Sequence, residues 1–256
     1  MKKALVGLVF LFCFQMAQAQ SIRLEKDKKG GVLYFGLGTN LSFYTRSDIS
    51  FNRSDASFVL QDVKARDDRG LKFGDGAPQY TYQIGYYFKR KGFGLEFNFD
   101  HIKYFARHDQ SVHVKGTING KAVDADTAIT SIVQNFEHSD GANYALFNVV
   151  KWKNLYTQKD KRSFLDLVLK AGAGPLVPKT NSTVLGDHYD DRYKFSGYVV
   201  AVEGGLRYRF LKSFYVATTI KGAYANYTNF VIANGSGSQH WFGAHVMLVV
   251  GGQFSL

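Results

Sequence analysis

Beyond residue 32 the chain is written in a period of two. Apolar side chains recur at alternate positions, and the positions between them carry Gly, Ser, Thr, Asn or a charge. Successive side chains of an extended strand point to opposite faces, so this spacing predicts strands with one apolar and one polar face. The segments are Leu33–Thr45, Gln79–Lys89, Phe93–Tyr104, Ala142–Lys153, Ser163–Gly174, Lys194–Phe210, Phe214–Thr228 and His240–Leu256. The third is the sharpest, with Phe93, Leu95, Phe97 and Phe99 set against Gly94, Glu96, Asn98 and Asp100. The eighth sets Phe242, Ala244, Val246, Leu248 and Val250 against Trp241, Gly243, His245 and Met247, whereas the fourth alternates more weakly.

The connections turn eight strands into an architecture. After each odd-numbered strand comes a long segment, 46–78, 105–141, 175–193 or 229–239. After the even-numbered ones the links are short or basic: Arg90-Lys91-Gly92, 154–162 and Leu211-Lys212-Ser213. Long loops on one side, short turns on the other and an even strand count predict an eight-stranded antiparallel transmembrane β-barrel, all-β, with long extracellular loops and short periplasmic turns. A secreted β-sandwich is the soluble competitor. The charges decide against it: Glu96, Asp100, Asp166, Lys170, Glu203, Arg207 and Lys221 all fall mid-strand on the face opposite the apolar stripes. A narrow lumen in which opposite charges pair accommodates them, and the apolar faces then meet lipid. Tyr34, Tyr44, Tyr80, Tyr144, Tyr208 and Tyr215 are expected to form the aromatic girdles of such a belt. In the second long loop, Asn119-Gly120 favours a type I′ turn, so this loop is expected to rise as a strand pair.

Composition adds the compartment. Lys2-Lys3, the apolar run Ala4–Phe14 and Ala17-Gln18-Ala19 together predict a signal peptide over residues 1–19. A polar periplasmic lead is expected over 20–32, followed by the barrel domain, 33–256. The single cysteine, Cys13, lies in the predicted signal, so the mature chain holds no disulfide, and loss of Lys2 and Lys3 takes the net charge from +11 to +9. The expected location is the outer membrane of a Gram-negative cell, the protein being a monomer inserted by the barrel-assembly machinery. Its basic clusters, Lys89-Arg90-Lys91, Lys151 with Lys153, and Lys159–Arg162, lie at turns and stop strands; nucleic acid is not an expected partner.

Candidate chemistry gathers at the opposite rim. Asp100, His101, Lys103 and Tyr104 end the third strand, and Glu137, His138, Asp140, Gly141 and Asn143 open the fourth. Continued alternation puts His101 and Lys103 on the lipid-facing side, where a lysine can pair with a lipid phosphate and a histidine can serve as general base or metal ligand. The plainer account is that polar residues return where the membrane ends. His240 and His245 must face opposite sides of one strand, and His245 reads as a lumen filler.

The runs Gly94–Tyr104 (GLEFNFDHIKY), His138–Asn143 (HSDGAN), Lys170–Pro175 (KAGAGP) and Glu203–Tyr208 (EGGLRY) resemble outer-membrane barrels of the lipid A oxidase-like family. That resemblance implies a site at the lumen and rim acting on the glucosamine disaccharide of lipid A with dioxygen and a divalent metal. It carries over to Glu96, His101, Lys103, Asp140 and Asn143. The segment between His108 and Phe136 and the ending Phe254-Ser255-Leu256 depart from the family pattern.

The sequence therefore leads to an outer-membrane barrel with charged extracellular loops and a polar rim site of unassigned activity. An enzymatic alternative is an oxidase-like lipid A-modifying enzyme acting on outer-leaflet lipopolysaccharide. In it Glu96, His101, His138 and Asp140 are the catalytic candidates, Lys103 and Asn143 bind substrate, and His101, His138 and Asp140 are candidate ligands of a divalent metal. A second alternative is an adhesion or partner-binding barrel that works through its two longest loops. A diffusion pore is disfavoured, because side chains fill a lumen of eight strands.

Overall fold

The structure, a computed structural model, describes residues 30–68, 79–160, 162–210 and 213–256. The expected signal peptide, most of the expected lead and part of the first long loop (69–78) lie outside the described residues. In chain order the strands are β1 (Gly31–Tyr44), β2 (Ser47–Arg53), β3 (Ala56–Val63), β4 (Ala65–Arg66), β5 (Tyr80–Phe88) and β6 (Phe93–His101). They continue with β7 (Tyr104–Ala106), β8 (Ser111–Ile118), β9 (Lys121–Ala128), β10 (Val133–His138), β11 (Ala142–Thr157) and β12 (Phe164–Pro178). The last are β13 (Asn181–Val184), β14 (Asp187–Tyr189), β15 (Gly197–Phe210), β16 (Phe214–Ile232) and β17 (Gly235–Ser255).

Eight of these close into a ring in the order β1-β5-β6-β11-β12-β15-β16-β17, with β17 pairing back onto β1. Every neighbouring pair in the ring is antiparallel. The apolar stripes face outward: Leu37 is 55% exposed, Phe147 65% and Ile220 62%. A belt of that extent is untenable in water but is what a closed barrel presents to hydrocarbon. Closure also leaves no unpaired strand edge within the ring, which is the condition for strands to span a bilayer. The chain is an eight-stranded transmembrane β-barrel.

The inner face is filled and its charges are paired. Lys170 Nζ lies 2.9 Å from Glu96 Oε1 and 3.1 Å from Glu203 Oε1. Lys221 bridges Asp100 and Glu203, the latter at 3.3 Å, and Arg209 pairs with Asp166. The Arg207 guanidinium lies 4.0 Å from the ring centres of both Trp152 and Tyr215 and donates to Gln253 Oε1 at 2.6 Å. Opposite charges therefore satisfy one another across a lumen too full to conduct solutes.

Above the ring the described parts of the long loops form strands of their own. The upper part of β17 leaves β1 and pairs with β2, and the sheet runs on through β3, β8 and β9. A second sheet, β14-β13-β10-β7-β4, lies across it. Between them is an apolar core: Phe51 on β2 meets Phe136 on β10 (ring centres 5.6 Å apart), and Phe136 meets Phe230 on β16 (5.2 Å). The core continues to the barrel mouth through Tyr104, stacked on Trp241 at 4.6 Å. Buried Arg53 joins the two sheets, bonding Val184 O at 2.7 Å and Asp187 Oδ2 at 2.6 Å. The Asn119-Gly120 turn is present as expected, with φ of +51° and +74°, and it closes the β8–β9 hairpin.

Three expectations are corrected. Residues 229–239 are not a loop: β16 runs to Ile232 and β17 begins at Gly235. The small polar run 235–238 gives little strand signal by itself, but β2 pairs with it, and Gly237 lies so close under the Phe230 ring that a Cβ there would come within 2.4 Å. Tyr34, Tyr144 and Tyr215 do not belong to a girdle; each is at most 1% exposed and points into the barrel, where its hydroxyl finds a polar partner. Tyr208, 48% exposed, does lie on the outer surface. Finally, His101 and Lys103 are not presented to lipid, being 3% and 5% exposed.

Candidate functional site

The rim between β6 and β11 brings some of the candidate residues together and separates others. His101 and Tyr80 are cross-strand partners on β6 and β5, and their rings stack with centres 4.5 Å apart, almost parallel at 5°. Asn143 Oδ1 accepts from His101 Nδ1 at 2.9 Å, while Asn143 Nδ2 donates to Val177 O at 3.0 Å, which fixes the amide's orientation. His101 Nε2 is buried without a hydrogen-bond partner. Tyr80 and Asn143 are what remove this imidazole from lipid although it stays on the side of the sheet that carries Tyr80. Lys103, two residues on, turns back toward the first loop, and its Nζ lies 3.1 Å from Asp68 Oδ2. Its charge is thus taken by a carboxylate of the protein rather than left for a lipid phosphate.

The other candidates have separate surroundings. Glu96 lies deeper in the lumen, its two oxygens bonded to Lys170, Asn148 and the Tyr34 hydroxyl. His138 is completely buried in the core above the mouth, stacked on Tyr227 at 5.2 Å and beside Phe136 and Phe230. Its Nδ1 lies 3.1 Å from Thr180 Oγ1, and its Nε2 has no partner. Burial alone lowers its pKa to about 3, so this imidazole is neutral. Asp140 is half-exposed and bonded to Lys179 at 2.6 Å; Lys179 also holds Asp190 at 2.9 Å. Asp140 and Asp190 together raise the Lys179 pKa.

This arrangement does not fit a divalent metal held by His101, His138 and Asp140. Among the described residues no group of three His, Cys, Asp or Glu side chains converges as a metal site requires. The Asp140 carboxylate faces an ammonium group, and His138 is enclosed by aromatic rings. What the rim does present is one oriented imidazole, His101, with a fixed amide partner.

A different surface escaped the sequence reading. On the outward side of the upper wall, where β17 passes to β2, β3 and β8, lies a hollow of about 390 Å³. Ser50, Gln61, Asn226, Ser238 and His240 contribute to its lining. Its signal was the alternation Ser236, Ser238, His240, legible only if 235–240 is taken as strand. Further out, the β8–β9 hairpin is tied by His113, whose ring nitrogens lie 2.7 Å from Asp126 and 2.9 Å from Asp124. Those carboxylates hold the His113 pKa above the ordinary imidazole value.

No protein-family model matches the chain, and no curated protein matches it. Among solved structures it is similar to Ail, the attachment invasion locus protein of Yersinia pestis, at 12% identity over 88% of this chain and 99% of that chain, TM-score 0.35. It is also similar to the N-terminal β-barrel domain of Pseudomonas aeruginosa OprF (12% identity, 88% of this chain, 98% of that chain, TM-score 0.34). A third is the outer membrane protease OmpT from Escherichia coli (9% identity, 91% of this chain, 99% of that chain, TM-score 0.35).

Proposed function

We propose that this outer-membrane barrel is a membrane-anchored binding protein, with the eight strands serving to hold a rigid extracellular cap. The observation that carries this reading is the core above the mouth. The loops bury Phe51, Phe58, Phe136, Phe230 and Trp241 together instead of remaining mobile, and their strands extend the barrel wall itself. A preorganised surface loses less conformational freedom on binding than flexible loops do, which is what a partner-binding role rewards. The sealed, ion-paired lumen leaves nothing for transport, so activity has to be sought on the outer surface. The test is to replace the β8–β9 hairpin, residues 111–128, by a short turn and to compare attachment of producing cells to an immobilised panel of surface glycans and matrix proteins. The reading expects attachment to fall to that of cells lacking the protein while the barrel still inserts. Unchanged attachment by the trimmed form, or none by the intact form, overturns it.

A second reading, modification of lipid A in the outer leaflet, draws support from His101. An imidazole oriented by Asn143 and stacked on Tyr80 keeps, at the rim of the barrel wall, a buried Nε2 that has no hydrogen-bond partner; it can act as a general base only when a substrate displaces its cover. Lipid A mass spectra decide it. The reading expects a mass difference between strains with and without the protein that disappears with His101→Ala; identical spectra in all three sink it.

A further inference from the structure

We propose that the hollow on the outer face of the upper wall is a binding site for a neutral saccharide. The proposal deepens the binding reading and rests on it for its biological use, while the site itself is argued from geometry. The pairing register sets Ser238 of β17 opposite Ser50 of β2, Ser50 opposite Val59 of β3, and Val59 opposite Lys115 of β8. Two adjacent serines give the sheet a low floor where larger side chains would fill it. Asn226 and His240, paired across β16 and β17, form one wall, and Gln61 and Asp48 contribute to the lining beside the floor. The register slips twice here, between Ser47 and Ile49 and between Tyr227 and Phe230, and such irregularities bend and twist the strands that carry the lining.

The chemistry of the lining selects the ligand. Ser50, Gln61, Asn226, Ser238 and His240 make no side-chain hydrogen bond to another described residue, although the equivalent inward-facing groups, Gln83, Asn98 and Asn148, are all bonded. Hydroxyls, amides and an imidazole are donors and acceptors for sugar hydroxyl and acetamido groups. The formal charges are few and balanced: Asp48 accepts from the Asp62 N–H at 2.9 Å, and Lys115 is engaged with Asp124 at 3.6 Å. Among the described residues no arginine contributes to the lining, so they form no clustered cationic fork of the kind that recognises phosphate. About 390 Å³ is within the size range of small-ligand sites. The hollow opens just above the lipid belt, for the His240 ring is 6.2 Å from Tyr224, which packs on Phe242 at 4.9 Å. A sugar there can come from two sources, a glycolipid headgroup in the outer leaflet or a glycan in solution.

The experiment uses the full chain in phosphatidylcholine nanodiscs, with histidine-selective NMR reading the His240 ring and His188 as a reference. One probe is chitobiose in solution; the other is a neutral glycolipid, monoglucosyl diacylglycerol, incorporated into the nanodisc. The proposal expects the His240 resonances to shift with at least one probe. A response to chitobiose assigns a soluble glycan, and a response to the neutral glycolipid alone assigns a headgroup. Ser238→Trp, which fills the floor, should abolish the response; a heat-modifiable gel shift checks that this variant is folded. Should it not fold, Asn226→Ala takes its place and is expected to weaken binding about tenfold, the value of one good hydrogen bond. No shift with either probe, an equal shift with phosphatidylglycerol alone, or a response that survives Ser238→Trp overturns the site. Because attachment of hairpin-trimmed cells is measured separately, loss of the saccharide site with cap-dependent attachment intact sinks this inference alone, and the converse sinks only the binding reading.

Discussion

The same strands invert their meaning partway along their length. In the lower part of β17, Phe242, Val246, Leu248 and Val250 point outward and His245 and Gln253 inward. In its upper part Trp241 points inward, and Ser238 and His240 line the outer hollow. β16 does the same, with Lys221 buried and Ile220 exposed below, and Tyr227 and Phe230 buried above. The period of two holds through the belt and slips once on β16, between Tyr227 and Phe230; what changes along both strands is the medium outside the wall. Where hydrocarbon surrounds the barrel, the polar face is cheapest inside, and each charge needs a partner there. Where water surrounds it, the apolar face turns in and forms an ordinary core.

Four experiments break or sharpen this contrast. Lys221→Met should have the largest effect, because Asp100 and Glu203 both lose a buried counter-ion. Breaking such a pair costs about 3–5 kcal/mol, read as a lower unfolding midpoint of the barrel in a urea titration followed by gel mobility. Phe136→Ala should cost roughly 3 kcal/mol or more, but in the cap alone. Amide exchange in β10 and β2 should rise while barrel mobility on the gel is kept; a loss shared equally by both regions would mean that they fold as one unit.

Acid comes third. The His138 pKa is about 3 in the folded cap and 6.5 when exposed, so unfolding takes up a proton below the exposed value. Cap stability is therefore complete above pH 6.5 and falls as pH drops from there toward 3, by up to about 1.4 kcal/mol per unit. Protease resistance of the cap at pH 7.5 and 5.5 measures this, and His138→Phe should flatten the dependence. The smallest effect is expected from Lys179→Ala. Its partners Asp140 and Asp190 are substantially exposed, and solvent-screened pairs of this kind are worth less than about 1 kcal/mol by thermal unfolding.

The candidate site was less legible than the fold. Asp100 and Glu203 could be assigned to the lumen because a charge in a strand has only two faces to choose between, and the apolar neighbours name the other one. His101 and Lys103 sit where a strand ends, and there alternation no longer says what covers a side chain. Tyr80, Asn143 and Asp68 cover them, all of them on other strands or loops. His138 and Asp140, two residues apart, end in an aromatic box and a solvent-facing ion pair, because only one of them is on a strand that packs against β16 and β17. The places of Tyr34 and Tyr215 are not legible in the sequence, because tyrosine suits a membrane interface and a polar lumen equally well and the hydroxyl's partner is needed to choose.

The sequence by itself determined the number of ring strands, their faces and the side on which the long loops lie, since each of these follows from a local period and from spacing along the chain. Only the tertiary structure decided that the loops form a second, water-facing core, that the run 235–238 is strand, and that a polar hollow opens above the belt. The reason is physical: period two states which residues share a face, whereas the contacts that give the face its partner join segments far apart in the chain, such as Phe51 with Phe230 and Ser50 with Ser238.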